Sequence, residues 1–453
     1  MNKESLLLPG SAVITLLIAL GLIRWLAPEL LGGPADLQLV QLDKKVPAYY
    51  RGIFLDDVSS SGGEFLLKDP LTRVRARPLY PRYKELGPHD ILGFRNTAVP
   101  VAADIVTIGD SMTYGNNAVL EQNWPSYLSA NLPQDHISVY NMSTGGWGAV
   151  QYLDMFNHAL AFRPRVVVVA FYTGNDPLES FQMVYGNEHW QSLIPDPALS
   201  AGDIPAVALE TAAEDQWDSV FQDGVHTVFT PGYRLASNDA HPVVAAGYRI
   251  MADVAARIGE LAQANGIKVV FTIIPTKELV YAARVDAEGL DAPADYNRLV
   301  ASERRRIADL RGRLASLPEA RYVDLLEPLQ RAALGKDSLY PDSVNGHPVA
   351  AGYRIIGREV ARMVEDLLPA SPSGLYALMD NDSFNVLLVN REGVWYFNSF
   401  DLIEANGWPA AELQTIELRD ILDLPHRGVV DAVDPARFGP ASCLKQETAL
   451  SWP

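Results

Sequence analysis

The sequence predicts an α/β fold, a three-layer α/β/α sandwich in which a five-stranded parallel sheet lies between two layers of helices. Short apolar runs rich in β-branched residues alternate along the chain with longer segments of helical periodicity, as is typical of strands joined by crossover helices. The run at 165–172 is almost continuously apolar, as expected for a central parallel strand that is covered on both faces. In such folds the functional site lies at the carboxyl edge of the sheet.

Each apolar run is a candidate strand, and each periodic segment is a candidate helix. The predicted strands lie at residues 105–108, 137–141, 165–172, 268–275 and 321–325. The predicted helices lie at residues 117–132, 151–160, 243–265, 295–317 and 350–368.

Residues 177–242 interrupt this alternation, because they are acidic and contain several prolines. We interpret them as an insertion over the carboxyl ends of the strands, either a lid or a substrate wall. The insertion contains Trp190 and Trp217. Burial within the lid is the favoured interpretation of these side chains, and stacking on sugar rings is the alternative.

The segments on either side of the sandwich at 101–370 have a different composition. Residues 6–23 are uncharged and mostly apolar, which is long enough for a membrane-spanning helix. Within residues 1–33 an uncleaved anchor is favoured over a cleaved signal peptide, because no clear Ala-x-Ala site follows the apolar run. Residues 34–100 are interpreted as a lead-in segment that wraps the domain. Residues 371–453 are interpreted as a small appendage, with a β-hairpin at 384–397 and irregular chain after it.

The composition narrows the classes of function. A formal net charge of −18 argues against a nucleic-acid partner, because phosphate binding needs a basic surface. The single cysteine, Cys443, allows no disulfide within the chain. Together with the predicted anchor, the long acidic domain favours a cell-membrane protein whose main domain is extracytoplasmic, in the periplasm or outside the cell.

The candidate nucleophile is Ser111, which follows the first predicted strand in the turn Gly109-Asp110-Ser111. A serine at this position presents its hydroxyl to the cleft at the carboxyl edge of the sheet. Its own N–H and the positive end of the following helix are then placed to stabilise an oxyanion.

Four short blocks occur in order, each after a predicted strand or before the last predicted helix. They are Gly109-Asp110-Ser111, Asn141 with Gly146 and Gly148, Gly174-Asn175-Asp176, and His347-Pro348 followed by Gly352-Tyr353. This set resembles the four blocks of the SGNH/GDSL hydrolase family over about residues 104–368. The resemblance implies a flavodoxin-like sandwich and the hydrolysis or transfer of ester-linked acyl groups, often acetyl groups on a glycan.

The resemblance also implies roles for individual residues. Ser111 would be the nucleophile, and His347 would act as general base and then as general acid. The Ser111 N–H, the Gly146 N–H and the Asn175 side-chain amide would form the oxyanion hole. This chemistry needs no metal and no cofactor.

One position departs from the family pattern. The acidic residue that usually stands three positions before the histidine is replaced by Val344. Either Asp342 reaches the ring through a longer loop and completes a triad, or Asn345 or a backbone carbonyl orients the ring in a Ser-His dyad. Loss of activity is the third alternative.

The turn Pro275-Thr276-Lys277-Glu278 follows the fourth predicted strand at the functional edge. It resembles turns in envelope members of the family that act on polysaccharides, where Lys277 would line the cleft. A salt-bridged surface lysine is the favoured interpretation.

The sequence as a whole predicts a serine esterase that acts on ester-linked acyl groups, acetyl foremost, of a small molecule or an acylated glycan. One alternative is an O-acetyltransferase of an envelope glycan, which differs only in its acceptor. The other is a catalytically silent binding or assembly subunit of a membrane complex, consistent with the departure at Val344.

Overall fold

A computed structural model of the chain describes residues 65–100, 102–132, 137–205, 216–368, 372–380, 383–390, 392–417, 420–421 and 424–443. The predicted anchor at 6–23 lies outside these residues. Among the residues described, no helix is both long enough and apolar enough to cross a membrane. The chain divides into two compact units, the larger containing described residues 65–132 and 138–365 and the smaller containing 137 and 366–443.

The larger unit contains nine strands and ten α-helices in its described part. In chain order they are β1 (Leu66–Asp69), β2 (Arg73–Ala76), β3 (Ile105–Gly109), α1 (Ser111–Tyr114), α2 (Trp124–Asn131), β4 (Val139–Ser143), α3 (Ala149–Ala159), β5 (Val166–Tyr172), α4 (Asp176–Gly186), β6 (Trp217–Val220), β7 (His226–Phe229), α5 (Pro231–Leu235), α6 (Pro242–Ala264), β8 (Lys268–Ile274), α7 (Lys277–Glu288), α8 (Ala294–Ala315), β9 (Ala320–Val323), α9 (Leu326–Ala333) and α10 (Ala350–Glu365).

A five-stranded parallel sheet forms the centre of this unit, with the strand order β4-β3-β5-β8-β9. Every residue of β3 and of β5 is buried, which explains why β5 is an unbroken apolar run and why Thr107 is the single polar residue within β3. The sheet confirms the predicted fold class. It also brings the ends of β3, β4, β5 and β8 to one edge, where the candidate site residues follow the strands.

The helices cover the sheet in two groups. In one group α3, α4 and α8 pack against the long helix α6, and in the other α2 packs against α10 and α9 packs against both α10 and α7. The sandwich therefore has the three predicted layers. The core between the first group and the sheet is continuous and includes Val169, Phe271 and Ile250.

Two predicted boundaries shift for local reasons. The helix predicted at 117–132 begins at Trp124, because the Asn123 side chain accepts a hydrogen bond from the Ser126 N–H and Pro125 occupies the first turn. The strand predicted at 137–141 lies at Val139–Ser143, paired with β3.

The lead-in segment, where described, is bound tightly to the larger unit. Strands β1 and β2 form an antiparallel hairpin. Further along, Arg95 is completely buried and donates to five carbonyl oxygens, those of Glu85, Gly87, Tyr114, Gly115 and Ala118. The guanidinium thereby joins the lead-in segment to the chain that follows the nucleophile helix.

The described part of the predicted insertion at 177–242 contains most of α4, the hairpin of β6 and β7, the short helix α5 and 3₁₀ helices at Glu188–Leu193 and Ala201–Asp203. Trp190 is buried, and its indole N–H donates to the Leu71 carbonyl at 3.0 Å. Trp217 is partly buried and packs against Phe229 and Tyr296. Both tryptophans therefore pack against other side chains or backbone within the protein, as the favoured interpretation predicted.

The smaller unit has its own sheet and its own core. Its elements are β10 (Gly374–Asp380), β11 (Ser383–Asn390), β12 (Gly393–Phe397), α11 (Phe400–Ala405), β13 (Gln414–Ile416), β14 (His426–Val430) and α12 (Pro435–Phe438). The predicted hairpin is confirmed by the antiparallel pairing of β11 with β12. The prediction of irregular chain after it is wrong, because β13 and β14 add in parallel to β10 and β12 and complete a mixed sheet. Their short, polar sequences carry no continuous apolar run.

Candidate active site

Ser111 lies where β3 ends and α1 begins, and its side chain is buried within the larger unit. The Asp110 carboxylate caps this helix by accepting the Met112 N–H at 2.8 Å. A Cβ at position 109 would lie 2.1 Å from the Thr113 hydroxyl, so only glycine fits between the strand and the helix. The turn therefore fixes Ser111 at the carboxyl edge of the sheet.

His347 lies beside Ser111, although 236 residues separate them in the sequence. Its Nε2 is 2.7 Å from the Ser111 Oγ, and its Nδ1 is 2.7 Å from the Asn345 Oδ1. The same Oδ1 also accepts the His347 backbone N–H, which fixes the orientation of the amide. Because Oδ1 can only accept, the ring proton is on Nδ1. Nε2 is then free to accept the proton of Ser111.

The ring partner is Asn345, and not Asp342 as the first alternative for the triad proposed. Asp342 is exposed and has no hydrogen bond to the ring. Asn345 is only two positions before His347, and this short spacing lets its side chain fold back onto both the ring and the backbone of His347. The geometry matches the Ser-His dyad oriented by Asn345.

Two residues hold the histidine loop against the loop that follows the nucleophile helix. Asn117 accepts from the Asn345 side chain at 2.8 Å and donates to the His347 carbonyl at 3.0 Å. Tyr353, in α10, donates to the Asn116 carbonyl at 2.8 Å. These bonds tie the base and the nucleophile to the same frame.

Lys277 holds the histidine loop from the other side. It is completely buried, and its ammonium donates to the carbonyls of Val228, Ser343 and Asn345 at 2.5, 2.8 and 3.3 Å. The favoured interpretation as a surface lysine is therefore wrong. The turn after β8 points the side chain inward, and burial lowers its pKa to about 8.

The N–H groups of Ser111 and Gly146 are both without a hydrogen-bond acceptor in the part of the chain that is described. Gly146 has a φ of +78°, a conformation that favours glycine. A Cβ on the preceding Gly145 would lie 3.5 Å from the Ser111 Cβ, so this loop closely approaches the nucleophile. The two N–H groups are thus available to a ligand beside Ser111.

Asn175 follows β5 and lies against the nucleophile turn. Its side chain lies close enough to the Asp110 carboxyl to lower the pKa of that group, and its Oδ1 is buried without a partner among the described residues. The three residues that were predicted for the oxyanion hole therefore lie around one cluster. Asn175 also begins α4, which carries Asp176 in its first turn.

Burial dominates the electrostatics of the site. Desolvation and the nearby charge of Arg234 lower the pKa of His347 to about 3, so the ring is neutral at pH 7. Desolvation raises the pKa of Asp110 to about 7. It also raises the pKa of Asp176, whose two oxygens share the proton of the Tyr152 hydroxyl and which also accepts the Tyr172 N–H. A neutral imidazole next to a hydroxyl is the protonation state that a general base requires.

The hairpin of β1 and β2 packs against the oxyanion side of the site. Arg73, at its turn, donates to the Gly146 carbonyl at 3.3 Å and forms an ion pair with Glu179 at 2.6 Å. The indole N–H of Trp147 donates to the Val74 carbonyl at 2.6 Å. The Gly146 loop is consequently held by the lead-in segment.

The motif analysis missed three residues, namely Asn117, Arg73 and Arg234. Asn117 and Arg73 reach the site by hydrogen bonds across 230 and 73 positions, which leave no local pattern in the sequence. Arg234 lies in the insertion, where no strand or motif marked it. The position of Lys277 on the functional edge was the one available signal for its role.

A family model described as the GDSL-like lipase/acylhydrolase family matches residues 107–355. This segment is more than half of the 453 residues and contains Ser111, Gly146, Asn175 and His347. No curated protein matches the chain.

Several solved structures resemble the chain at low sequence identity. A GDSL-like lipase from Bacteroides thetaiotaomicron is 16% identical, with 58% of this chain and 88% of that chain covered and a TM-score of 0.30. A catalytic mutant of an acetylxylan esterase from Geobacillus stearothermophilus is 13% identical, with coverage of 58% and 95% and a TM-score of 0.33. A psychrotrophic esterase from Pseudoalteromonas is 12% identical, with coverage of 58% and 98% and a TM-score of 0.28.

Proposed function

The chain belongs to the GDSL-like lipase/acylhydrolase family, and we propose that it hydrolyses ester-linked acyl groups through an acyl-enzyme on Ser111. The observation that carries the proposal is the hydrogen-bonded series Ser111–His347–Asn345, with 2.7 Å at each step. This series provides a nucleophile, a base and a group that orients the base.

In the first half-reaction the Ser111 Oγ attacks the ester carbonyl while its proton passes to the His347 Nε2. Asn345 holds the opposite nitrogen, so the ring keeps its orientation as it becomes an imidazolium. The carbonyl oxygen becomes an oxyanion and accepts hydrogen bonds from the N–H groups of Ser111 and Gly146 and from the Asn175 amide. The C–O bond then breaks, and the departing alcohol takes the proton from Nε2.

In the second half-reaction a water molecule replaces the alcohol. It gives one proton to the His347 Nε2 and attacks the acyl carbon, and collapse of the intermediate returns the proton to the Ser111 Oγ and releases the carboxylic acid. Asn345 is a neutral partner and adds no negative charge next to the imidazolium. The oxyanion donors therefore supply a larger share of the stabilisation than they do in a triad with an aspartate.

The test is the hydrolysis of 4-nitrophenyl acetate by the purified protein. We expect Ser111→Ala and His347→Ala each to lower kcat by about 10⁴-fold or more. Asn345→Ala is expected to lower it by about a hundredfold, because the ring loses its orientation. Asp342→Ala is the matched control in the same loop, and its activity should stay within about twofold of the parent.

Covalent labelling separates the nucleophile from a residue that merely supports the fold. A fluorophosphonate should add once to the parent protein and not to Ser111→Ala, as read by intact mass. Ester hydrolysis or labelling that survives in Ser111→Ala would refute the proposed mechanism. An equal loss of activity in Asp342→Ala and Asn345→Ala would refute the assignment of Asn345.

A further inference from the structure

The insertion contributes one cation to the neighbourhood of His347. Arg234, in α5, is 8% exposed, and its guanidinium lies over the ring of Tyr233 at 4.9 Å and beside that of Tyr172 at 5.7 Å. Its Nη1 donates to the Gly174 carbonyl at 3.3 Å. Gly174 immediately precedes Asn175 of the predicted oxyanion hole, so the guanidinium borders the active site.

Arg234 lacks the partners that a buried arginine normally has. Within the described ranges, the Gly174 carbonyl is its single hydrogen-bond acceptor and no carboxylate forms an ion pair with it. Arg284 is buried to a similar degree, yet it forms ion pairs with both Asp223 and Glu288. Burial alone would lower the pKa of Arg234, and nearby groups, including the carboxylates of Glu278 and Glu303, raise it without forming an ion pair. Its free N–H groups therefore indicate a site for a ligand that carries the opposite charge.

A second polar group without a partner lies next to the guanidinium. The hydroxyl of Tyr172 is buried and has no hydrogen-bond partner among the described residues. A Cβ at position 346 would lie 2.5 Å from the Arg234 Nη2 and 3.5 Å from this hydroxyl. Both donors therefore converge on Gly346, which immediately precedes His347. The absence of a side chain at this glycine lets the guanidinium lie directly against the backbone that precedes His347.

We propose that Arg234 and Tyr172 form an anion subsite that binds a carboxylate on the alcohol portion of the ester substrate. A guanidinium presents paired N–H donors to the two oxygens of a planar carboxylate, and a phenol can add a third donor. The subsite lies next to His347, which gives its proton to the alcohol, and we therefore assign the carboxylate to that portion of the ester. This inference rests on the proposed esterase function.

The electrostatics of the histidine agree with this assignment. The charge of Arg234 opposes protonation of His347, yet the imidazolium must form during each attack by Ser111. A carboxylate bound to Arg234 would offset that charge and favour the imidazolium. A substrate that carries the carboxylate would thus assist its own hydrolysis. The formal net charge of −18 otherwise disfavours the approach of an anion.

The experiment compares acetate esters of ω-hydroxy acids with the primary amides of the same acids. The esters 3-acetoxypropanoate, 4-acetoxybutanoate and 5-acetoxypentanoate span different distances, and each amide is a neutral molecule of nearly equal size. The readout is acetate release, expressed as the ratio of kcat/KM for the carboxylate to kcat/KM for its amide. We expect this ratio to exceed about ten at one or more lengths, as a charge-assisted pair provides.

Arg234→Gln should lower that ratio by about tenfold or more, and Tyr172→Phe should lower it by a smaller factor. The control is Arg249→Gln, because Arg249 lies on the surface of α6 and forms an ion pair with Asp196. This control should leave the ratio unchanged. Circular dichroism of each variant checks that it folds.

The outcomes separate the two proposals. Hydrolysis of the amides with a ratio of one or less at every length would overturn the anion subsite and leave the esterase intact. A high ratio that is the same in Arg234→Gln would also overturn it. If the parent protein hydrolyses neither the amides nor 4-nitrophenyl acetate, the proposed esterase function fails, and the subsite fails with it.

Discussion

His347 is orientated by an amide instead of a carboxylate, and this difference has a consequence for the pH dependence. The ring faces Ser111, Asn345 and the charge of Arg234, and no carboxylate pairs with it in the described structure. Nothing nearby therefore favours the imidazolium, whereas burial disfavours it. The base should remain in its active form in acid.

We expect kcat/KM for a neutral ester to fall through protonation of the base only as the pH approaches about 3, the pKa of His347. The neutral ring is the active form, so activity declines below this pKa and not near 6.5. The carboxyl of Asp110, behind Ser111, has a pKa raised to about 7 and can add a separate step there. The measurement is a pH–rate profile with 4-nitrophenyl acetate.

Asp110→Asn is the control for the step near pH 7, which should disappear in it while the acid limb remains. A loss of activity centred near pH 6.5 that persists in Asp110→Asn would contradict the assignment.

The free energy of unfolding must be measured over the same pH range. Because the folded pKa of His347 lies below its unfolded value, the unfolded state binds more protons between about pH 6.5 and 3, and the free energy of unfolding declines as the pH falls through this range.

The site residues differ in how far the sequence could reveal them. Ser111, Gly146 and Asn175 follow strands directly, so short local motifs were enough to predict them. The choice between Asp342 and Asn345 depended on a partner that lies 228 residues away, Asn117. A bond between positions so far apart cannot be predicted from a local sequence motif.

At the scale of elements, the junction of β8 with α7 controls the histidine loop. Lys277 is the first residue of α7, and its ammonium binds the carbonyls of Ser343 and Asn345 across 66 and 68 positions. The loop has no regular secondary structure of its own between 341 and 347. Its conformation therefore depends on these external bonds.

Replacing Lys277 with Met keeps the length of the side chain and removes the ammonium. We expect kcat for 4-nitrophenyl acetate to fall by about a hundredfold with little change in KM, because a small displacement of His347 disturbs proton transfer more than binding. The control is Lys268→Met, since Lys268 lies at the exposed start of β8 and pairs with Glu319. A folded Lys277→Met protein with full kcat would contradict this role.

The contrast between local sequence patterns and contacts between distant positions also explains which elements could be predicted from the sequence. Strand β5 was predicted within one residue of its start, because burial on both faces requires a continuous apolar run. Helices α7 and α9 were missed for different reasons. The buried face of α7 includes the charged residues Lys277, Glu278 and Arg284, which interrupt its apolar periodicity, and α9 has only eight residues. The hairpin of β1 and β2 was missed because its strands have four residues each. Its carbonyls are satisfied by Trp147, Gln151 and Trp190 from distant segments.

At the scale of the whole molecule, the described part of the lead-in segment, residues 65–100, belongs to the larger unit. Arg95 is the main evidence, because its five carbonyl acceptors lie on both the lead-in segment and the loop after α1. Its guanidinium also packs 4.7 Å from the ring of Tyr114. Removing this side chain would leave several buried carbonyls without a donor.

We expect Arg95→Met to lower the free energy of unfolding of the larger unit by about 3 kcal/mol or more, since each buried carbonyl left unsatisfied costs about 1–3 kcal/mol. The control is Arg82→Met, because Arg82 is exposed and pairs with Glu121, and its effect should stay within about 0.5 kcal/mol. Urea unfolding followed by tryptophan fluorescence measures both. Equal stability of the two variants would show that the lead-in segment is not integral.

The 236-residue separation of Ser111 and His347 also affects the order of events during folding. Residues near the carboxyl end of the larger unit must dock before any base reaches the nucleophile, so a nascent or partly refolded chain carries an inert serine. Contacts between such distant positions form slowly, because a long loop must close first. The return of esterase activity after dilution from denaturant should therefore lag behind the return of helical signal. Turnover of an ester by a refolding chain would therefore show when the segment that carries His347 has docked onto the sheet.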